Sequence, residues 1–242
     1  MDESKEEKPQ PYISKVGFVT VPVLRGFTEI AFLFSIAHTE SSFICGGYAR
    51  YCASPNKKPT LASDVDIYCK DKETFERLKG GPFKELSIRH ENDVSLTYNQ
   101  PKVGPYSYHP PIQLIKPIRE GKIVASGEMK EILENFDFTV IRCGFTSSQE
   151  ILVDADFLHD EERKILRLKN IHCPISSTLR CMKYAAKGYW LKPFETLKLF
   201  LDWDSRSDEY RNKLVDFLEK SKEGEGLSKE DITELEALMR ID

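Results

Sequence analysis

The segment Ala62-Ser63-Asp64-Val65-Asp66-Ile67-Tyr68 alternates polar and apolar side chains around two aspartates. Because a β-strand sends successive side chains to opposite faces, this spacing predicts a strand with both carboxylates on one face and with Val65 and Ile67 in the core. Paired carboxylates are oxygen ligands for hard divalent cations such as magnesium. The segment therefore predicts a sheet that carries a cation site.

A glycine pair lies one element upstream, in Phe43-Ile44-Cys45-Gly46-Gly47-Tyr48-Ala49-Arg50. We expect a short buried strand to end at Cys45 and a helix to begin at Tyr48. Gly46 and Gly47 have no side chains, so a polyanion can approach the backbone of the turn, and the start of the helix offers unpaired N–H groups. Together with the aspartates, this turn predicts binding of a nucleoside triphosphate and a metal ion.

The chain has 242 residues and a formal net charge of −4. This length suffices for one generous domain or two small ones. A mildly acidic protein does not bind nucleic acid through bulk positive charge, so any such contact must be local. The longest apolar run, residues 30–37, is too short to cross a bilayer, and the charged first eight residues do not resemble a signal peptide. We therefore expect a cytoplasmic protein with no membrane partner.

The six cysteines lie in apolar segments and never form a Cys-x-x-Cys pair. His172, Cys173 and Cys181 come nearest to a metal cluster, but their spacing matches no zinc site. Buried, reduced thiols are therefore the expected state, rather than disulfides or zinc ligands.

The apolar pattern divides the chain into three parts. Residues 1–14, rich in charge and proline, predict a disordered leader. Residues 15–160 predict a nucleotide-binding core of strands and helices around one sheet, and residues 161–242 predict a helical C-terminal region. Strands are expected at 43–45, 64–68, 93–98, 111–115, 136–143 and 150–154, and a proline-rich loop at 101–111. Helices are expected at 26–39, 48–53, 72–79, 128–135, 160–168, 177–187, 193–202, 208–220 and 228–240.

The glycine turn followed by the Asp64-Val65-Asp66 strand resembles the signature of the DNA polymerase β-like nucleotidyltransferase superfamily. That signature is a Gly-Gly or Gly-Ser turn followed by an Asp-x-Asp or Asp-x-Glu strand. The arginine that follows the glycines, Arg50, resembles the pattern of one branch of this superfamily, the template-independent tRNA nucleotidyltransferases and poly(A) polymerases. The resemblance covers about residues 26–157. It implies an α+β fold, with a mixed sheet flanked by helices and a helical C-terminal region after it.

A second segment, Pro174 to Tyr189, looks like the helix that follows the catalytic core in several nucleotidyltransferases. Arg180, Lys183 and Lys187 are spaced i, i+3 and i+7, so they share one face of this helix. That face either meets phosphates or is a solvated basic surface above packed Leu179, Met182 and Ala186. We keep both interpretations open.

The resemblance also implies a third carboxylate on a neighbouring strand, which helps to deprotonate the attacking hydroxyl. Asp137 is the first candidate, because Phe136-Asp137-Phe138 sets the acid opposite two apolar rings. Asp154 and Asp156 are a second option. In a third option, the strand 111–115 corresponds to the family strand that carries the third carboxylate, and Gln113 takes the place of the acid. This option implies impaired catalysis or a pseudoenzyme.

The function implied by the resemblance is transfer of a nucleoside monophosphate from a nucleoside triphosphate to a hydroxyl acceptor, with release of pyrophosphate. Mg²⁺ or Mn²⁺ is the implied cofactor, held by Asp64, Asp66 and Asp137. The implied nucleotide-binding residues are Gly46, Gly47, Arg50, Ser63, Arg180 and Lys183. The acceptor is an RNA end, a protein or a small molecule. The alternatives are an inactive nucleotide-binding module of the same fold and a glycosyltransferase that uses Asp-x-Asp.

Overall fold

The computed structural model describes residues 13–36, 41–99, 110–120, 123–222 and 228. The predicted leader therefore lies outside the described residues, except for its last two positions. The predicted loop 101–111 and the predicted helix 228–240 also lie outside them, apart from their edges. Within the described residues, no helix combines the length and the apolar character that crossing a bilayer requires.

The helices fall largely where the sequence pattern predicts them, whereas the structure describes more strands than the pattern predicts. The strands are β1 (Phe18–Pro22), β2 (Ser42–Cys45), β3 (Val65–Cys69), β4 (Ile88–Glu91), β5 (Ser95–Tyr98), β6 (Ile112–Ile115), β7 (Arg119–Glu120), β8 (Ile123–Val124), β9 (Cys143–Phe145), β10 (Glu150–Asp154), β11 (Ile165–Leu166) and β12 (Trp190–Leu191). The helices are α1 (Phe27–Ile36), α2 (Gly47–Ala53), α3 (Lys72–Gly80), α4 (Met129–Glu134), α5 (Phe157–Glu162), α6 (Pro174–Ala185), α7 (Pro193–Asp204) and α8 (Asp208–Lys222). A single 3₁₀ turn is described, at Thr139–Ile141.

An eight-stranded sheet in the order β1-β10-β9-β2-β3-β6-β5-β4 forms the centre of the fold. The pairing of β3 with β6 is parallel, whereas the other pairs in this sheet are antiparallel. The sheet is thus mixed, and helices accompany it and follow it. The predicted α+β fold is confirmed.

Strand β3 lies inside the sheet between β2 and β6, and its side chains alternate as predicted. Val65, Ile67 and Cys69 are fully buried in the main core. Burying an aliphatic side chain of this size stabilises the fold by about 1.5–3 kcal/mol. The register of β3 is therefore fixed by its buried face, and the other face presents Asp66 and Tyr68.

Close packing next to the glycine turn depends on Gly144 of β9. This residue pairs with Cys45, the last residue of β2. A Cβ at position 144 would lie 2.8 Å from Met129 Sδ and 3.0 Å from Cys45 Sγ. The absence of a side chain therefore lets α4 pack against the strand that leads into the turn.

The predicted strand at 136–143 is wrong for most of its length. Thr139–Ile141 forms a 3₁₀ turn, and the strand begins only at Cys143. Phe138 and Val140 are buried, but they pack into a second cluster with residues of the C-terminal region, such as Tyr184. The alternation that predicted a strand thus reflects burial, and the β-pairing of this segment is limited to an isolated antiparallel bridge between Phe138 and Leu168.

The predicted helix at 160–168 is also wrong. Helix α5 ends at Glu162, Lys164 adopts a positive φ of 55°, and the chain then forms the short strand β11. Asp160 and Glu161 are fully buried, and their ion pairs with Arg167 and Arg50 hold this segment in place. Beyond β11, the C-terminal region is mainly helical, with β11 and β12 pairing in parallel over two residues.

Candidate functional site

An open cavity of about 780 Å³ lies between the sheet and α6. All nine residues that the sequence predicts for the site line this cavity. They come from the turn between β2 and α2, from β3 and the residues before it, from the segment that precedes the 3₁₀ turn, and from α6. Folding thus brings together side chains that are more than 100 positions apart in the sequence.

Asp64 and Asp66 face this cavity from the start of β3. Asp66 lies within the strand, whereas Asp64 lies just before its first residue, Val65. Both residues are partly buried and line the cavity. Ser63 Oγ donates a hydrogen bond to Asp64 Oδ2 at 3.0 Å. Ser63 therefore lies where it can orient the first of the two carboxylates.

The two carboxylates influence each other electrostatically. Burial, and then the negative charge of Asp64, raise the pKa of Asp66 to about 8, although Lys183 and Arg180 act in the opposite direction. A carboxylate held in this way binds a proton at neutral pH unless a cation is present. The carboxylates of Asp64 and Asp66 therefore favour a nearby positive charge, either a bound proton or a cation.

Gly46 lies directly against Asp66. Its backbone has φ 76° and ψ −137°, a conformation that residues with a Cβ rarely adopt. A Cβ at this position would lie 3.3 Å from Asp66 Oδ2 and 3.6 Å from Phe136 Cε2. A Cβ at Gly47, in contrast, would meet nothing within 4 Å. Gly46 is thus required by the turn and by close packing, whereas Gly47 leaves open space at the cavity wall.

Arg50 is a buried part of the framework beneath the cavity. Its Nη1 donates hydrogen bonds to Tyr189 OH at 2.8 Å and to Glu161 Oε1 at 3.2 Å, and its Nη2 donates to the backbone oxygen of Thr60. Burial by itself would lower the pKa of Arg50, but Tyr189 and Glu161 raise it above its ordinary value. Both terminal nitrogens are bonded to protein, so Arg50 supports the cavity wall in this arrangement. Its role in binding nucleotide stays a prediction.

Helix α6 turns its basic side chains toward the cavity. Lys183 Nζ lies 3.5 Å from Ser63 Oγ, and Lys187 lines the wall farther along. Burial, Lys183 and Arg50 lower the pKa of Lys187, while Asp64 opposes them. Leu179 and Met182 do not pack beneath these residues but are 53 % and 65 % exposed. The interpretation of a basic surface above packed Leu179 and Met182 is therefore wrong.

Asp137 lines the cavity but is paired with a cation of the chain. Its Oδ2 accepts hydrogen bonds from Arg180 Nη1 at 3.0 Å and from Ser177 Oγ at 3.2 Å. Its Oδ1 is buried and has no hydrogen-bond partner among the described residues. In the part of the chain that the structure describes, no three His, Cys, Asp or Glu side chains form a group that could hold a metal ion. In this arrangement Asp137 is paired with Arg180 rather than grouped with Asp64 and Asp66, and its role as a third metal ligand stays a prediction.

Asp154 and Asp156, the second option for the third carboxylate, lie away from the cavity. Neither lines the cavity, and both are fully buried. Asp154 Oδ2 accepts a hydrogen bond from Arg142 Nη1 at 2.8 Å, and Asp156 Oδ2 accepts one from Lys169 Nζ at 3.2 Å. Their alternation in the sequence reflects structural ion pairs.

Gln113 occupies the position next to Asp66 on the neighbouring strand. Residues 66 and 113 are register partners across the parallel pair β3 and β6. Gln113 also lines the cavity. The third option from the sequence, a glutamine in place of an acid on strand 111–115, therefore agrees with this geometry.

Tyr68 and His172 are among the side chains of the cavity wall that sequence reasoning missed. Tyr68 follows Asp64 and Asp66 at the same alternation, so the strand pattern could have identified it. His172 Nε2 lies 2.8 Å from the backbone oxygen of Asn135, and its buried Nδ1 has no hydrogen-bond partner among the described residues. The sequence holds no signal for His172, because the fold alone brings residues 135 and 172 together.

A family model described as Gabija anti-defense 2 family protein matches residues 24–164, which is more than half of the chain. The chain belongs to the Gabija anti-defense 2 family. In this Gabija anti-defense 2 family protein, the matched region includes the glycine turn, Asp64, Asp66, Gln113 and Asp137. It ends before α6, so the basic wall of the cavity lies outside the matched region.

Comparison with curated proteins found no match. Among solved structures, the CCA-adding enzyme of Bacillus stearothermophilus in complex with CTP is 16 % identical, with a TM-score of 0.47, over 70 % of this chain and 40 % of that chain. The Thermotoga maritima CCA-adding enzyme complexed with tRNA is 15 % identical, with a TM-score of 0.43, over 66 % of this chain and 36 % of that chain. The Gabija anti-defense 2 family protein thus covers less than half the length of these structures, and the likeness concerns the fold alone.

Proposed function

We propose that the cavity is the site of a metal-dependent nucleotidyltransferase, which transfers a nucleoside monophosphate from a nucleoside triphosphate to a hydroxyl acceptor. The observation that carries this proposal is the contact of the Gly46 turn with Asp66, beside Asp64. It sets an open stretch of backbone next to two carboxylates that share one face. A triphosphate and a cation can approach both features at once.

The residues present fit a magnesium or manganese ion. Mg²⁺ commonly binds through one or two carboxylates and completes its shell with water and substrate phosphates. Asp64 and Asp66 would supply those carboxylates, and the charge of Asp64, which helps to raise the pKa of Asp66, would also attract a cation. When bound, the ion would neutralise phosphate charge and polarise the reacting phosphoryl group.

The cations of α6 and the glycine turn would hold the triphosphate. Lys183 of α6 and Lys187 in the turn after it line the cavity, and Gly47 leaves open space at the glycine turn. Arg180 would add a fixed donor, because Asp137 binds one of its nitrogens. Ser63 would orient Asp64. These contacts stabilise negative charge that develops on the phosphates during transfer.

In the proposed reaction, an acceptor oxygen attacks the α-phosphorus. The bond from this phosphorus to the oxygen that bridges to the β-phosphorus breaks, and pyrophosphate leaves with the bonding electrons. The acceptor proton passes to solvent. The positioned side chains contribute by alignment and by electrostatic stabilisation, which supply most of the rate enhancement in phosphoryl transfer.

Gln113 favours a second candidate, a nucleotide-binding module of the same fold without transfer activity. A neutral amide lies opposite Asp66, where a third carboxylate would help to activate the acceptor. A glycosyltransferase is less well supported, because its Asp-x-Asp motif does not need the glycine turn that contacts Asp66 here.

The family description refers to anti-defense against Gabija. We propose that nucleotide transfer or binding in this cavity serves that role, with an RNA end, a protein or a small molecule as acceptor.

A labelling panel tests this proposal. The full chain is incubated with each of the four nucleoside triphosphates labelled at the α-phosphate, with Mg²⁺ or Mn²⁺, and with RNA, protein or small-molecule acceptors. We expect label transfer by the wild type and a loss of several orders of magnitude in the double variant Asp64→Ala plus Asp66→Ala. Asp216→Ala is the matched control, because Asp216 is an exposed acid on α8 outside the cavity wall.

The other outcomes separate the alternatives. Nucleotide binding that depends on Asp64 and Asp66 without transfer supports the inactive module. Activity only with UDP-sugars and manganese supports the glycosyltransferase. Equal transfer by the wild type and the double variant would contradict both the site and the mechanism.

A further inference from the structure

Contacts along the cavity show how α6 is aligned with strand β3. Lys183 Nζ lies 3.5 Å from Ser63 Oγ, just before the start of β3. Arg180, one helical turn closer to the start of α6, binds Asp137 at 3.0 Å. The residue before Asp137 packs on Tyr68, near the end of β3, with a ring-centroid distance of 5.5 Å. The start of α6 therefore points toward the carboxyl end of β3, and its lysines lie at the other end.

The cavity extends beyond this carboxyl end. Strands β3 and β6 are parallel, with Asp66 opposite Gln113. Lys116, three residues after Gln113, donates its backbone N–H to the carbonyl oxygen of Val94 at 2.8 Å. Val94 and its neighbour Asp93 thus lie about 10 Å beyond Asp66 along the sheet, at a rise of about 3.3 Å per residue. We call this part of the cavity the distal end, and its lining includes Asp93, Val94, Ile118, Ala125 and His172.

The distal end lies where the base of a bound nucleotide would be. In the proposed function, Lys183 and the glycine turn hold the triphosphate at the opposite end, with the α-phosphate beside Asp66. A ribose separates the α-phosphate from the base, so the base lies one sugar farther along the cavity. The distal end is the part of the cavity that continues in this direction. This assignment rests on the proposed function.

The side chains of the distal end combine apolar walls with hydrogen-bond acceptors. Val94, Ile118 and Ala125 supply apolar surface, which suits the faces of a planar ring. Asp93 supplies a carboxylate, which accepts hydrogen bonds and, when ionised, donates none. His172 Nε2 lies 2.8 Å from a backbone oxygen, so the neutral ring donates there and its Nδ1 is an acceptor. A ligand with donors on its edge fits this end best.

The turn that carries Asp93 is held in one conformation. Asn92 Oδ1 accepts hydrogen bonds from the backbone N–H groups of Val94 at 2.9 Å and of Ser95 at 2.8 Å. An asparagine that bonds the backbone two and three residues on stabilises a tight turn. Asp93 is therefore presented from a fixed backbone, which reduces the cost of ordering it when a ligand binds.

A carboxylate distinguishes guanine from the other three bases. It can accept two parallel hydrogen bonds from neighbouring donors. Guanine has such a pair on its Watson–Crick edge, N1–H and the 2-amino group. Adenine and cytosine each set an amino donor beside a ring-nitrogen acceptor, and uracil has a single N–H between two carbonyls. Each of these three therefore turns at least one acceptor toward the carboxylate, which leaves that acceptor unpaired.

We propose that the distal end binds the base of a guanine nucleotide and that Asp93 determines this specificity. The Asp93 carboxylate accepts hydrogen bonds from N1–H and the 2-amino group, and Val94 and Ile118 contact the ring. The preferred nucleoside triphosphate of the cavity is then GTP.

Equilibrium dialysis of the full chain tests the proposal. The wild type is dialysed without acceptor against labelled GTP, ATP, CTP or UTP in the presence of Mn²⁺. We expect GTP to bind at least about tenfold more tightly than the other three, because one bidentate contact discriminates between bases by this order. Asp93 is an exposed residue, so its substitution removes no buried contact.

The variant Asp93→Asn gives a sharper measurement with xanthosine triphosphate. Xanthine has a carbonyl in place of the 2-amino group, and an amide can accept from N1–H while donating to that carbonyl. We expect the ratio of GTP affinity to xanthosine triphosphate affinity to fall about 100-fold in this variant. Glu91→Gln is the matched control, because it removes an exposed acid two residues away, outside the cavity wall. The control should keep the wild-type ratio.

The remaining outcomes separate this proposal from the proposed function. Equal wild-type affinities for the four nucleotides, or an unchanged ratio in Asp93→Asn, would overturn the guanine assignment. Transfer of a nucleotide other than GMP that depends on Asp64 and Asp66 would overturn it while supporting the proposed function. Binding selective for GTP without transfer would support it while contradicting transfer activity. No binding of any nucleotide would overturn both.

Discussion

Asp66 and Gln113 lie opposite each other on the parallel strands β3 and β6. Both side chains line the cavity, so the neighbour of the partly buried Asp66 carboxylate is a neutral amide. Within the described residues, no third acid joins Asp64 and Asp66 into a metal-binding group. This relationship bears on the proposed cation site, and it can be changed by one substitution.

Replacing the amide with an acid should strengthen cation binding. In Gln113→Glu, a carboxylate would lie beside Asp66, and we expect the Mn²⁺ dissociation constant to fall about tenfold, because affinity rises with the number of charged ligands. Gln113→Met is the control, since it keeps the length without the charge. Titration of free Mn²⁺ by electron paramagnetic resonance measures the change. Equal affinities for the two variants would show that residue 113 does not reach the ion.

Cation binding should depend on pH through Asp66. Its pKa of about 8 means that the ion must displace a proton below that pH. We expect Mn²⁺ affinity to rise by up to about tenfold per pH unit between about pH 6 and about pH 8, and then to level off. Titration calorimetry in buffers of different ionisation enthalpy reports the released proton. Asp66→Asn should remove the dependence in this range, and a persisting slope would assign it to another group.

The same shift affects stability. The folded pKa of Asp66 lies above its ordinary value of 3.8, so the metal-free fold binds a proton more tightly than the unfolded chain. Its contribution to stability is present at low pH and is lost as pH rises through about 8. The rise in melting temperature on adding Mg²⁺ should therefore be larger at about pH 8 than at about pH 6. A larger effect at the lower pH would contradict the assignment.

Gly46 and Gly47 should respond differently to alanine. Gly46→Ala forces a Cβ into a conformation with φ 76° and against Asp66, and we expect a loss of about 1–3 kcal/mol in the free energy of unfolding. Gly47→Ala meets open space and should be neutral or slightly stabilising. Urea denaturation measures both variants. Equal stabilities would mean that the turn differs from the one described.

Asp137 should affect nucleotide binding more than cation binding. Asp137→Asn removes the charge that holds Arg180, and we expect nucleoside triphosphate affinity to fall about tenfold while Mn²⁺ affinity without nucleotide stays unchanged. Ser177→Ala is the control, because it removes the other hydrogen bond to Asp137 Oδ2 and keeps the ion pair. A large loss of Mn²⁺ binding in Asp137→Asn would restore this residue as a metal ligand.

The ion pair of Arg50 with Glu161 should be required for folding stability. Glu161→Gln leaves the buried Arg50 charge without its counter-ion, and we expect a loss of about 3–5 kcal/mol in the free energy of unfolding. Glu162→Gln is the matched control, since Glu162 is the exposed neighbour. Denaturation by urea gives both values. If Glu161→Gln were as stable as the control, Arg50 would be free to bind phosphates.

Local patterns predicted the part of the fold that positions the carboxylates. The alternation around Asp64 and Asp66 identified β3 because a buried strand face leaves a period of two in the sequence. The glycine pair identified the turn before α2, because a positive φ strongly favours glycine. Strand β1 was missed, because most of its residues are exposed and only Val21 is buried, and because its pairing with β10 is a long-range contact.

The roles of the remaining charged residues could not be predicted in this way. Arg50, Asp137 and Asp154 all occur in patterns that resemble functional sites, yet each forms an ion pair with a residue distant in the sequence or across the sheet. A charged side chain can bind a ligand or form an ion pair within the chain. Which of the two it does depends on the opposite charge that folding brings close to it. Sequence spacing contains no information on that distance.

The amino-acid order alone thus establishes the β3 strand, its two acids on one face and the glycine bend before it, because these follow from steric rules that act between near neighbours. Three-dimensional packing assigns the partners: Gln113 beside Asp66, Arg180 on Asp137, and Arg50 on Glu161. The reason is physical. Backbone geometry is set over a few residues, whereas electrostatic pairing in a buried site depends on contacts between segments that meet only in the folded chain.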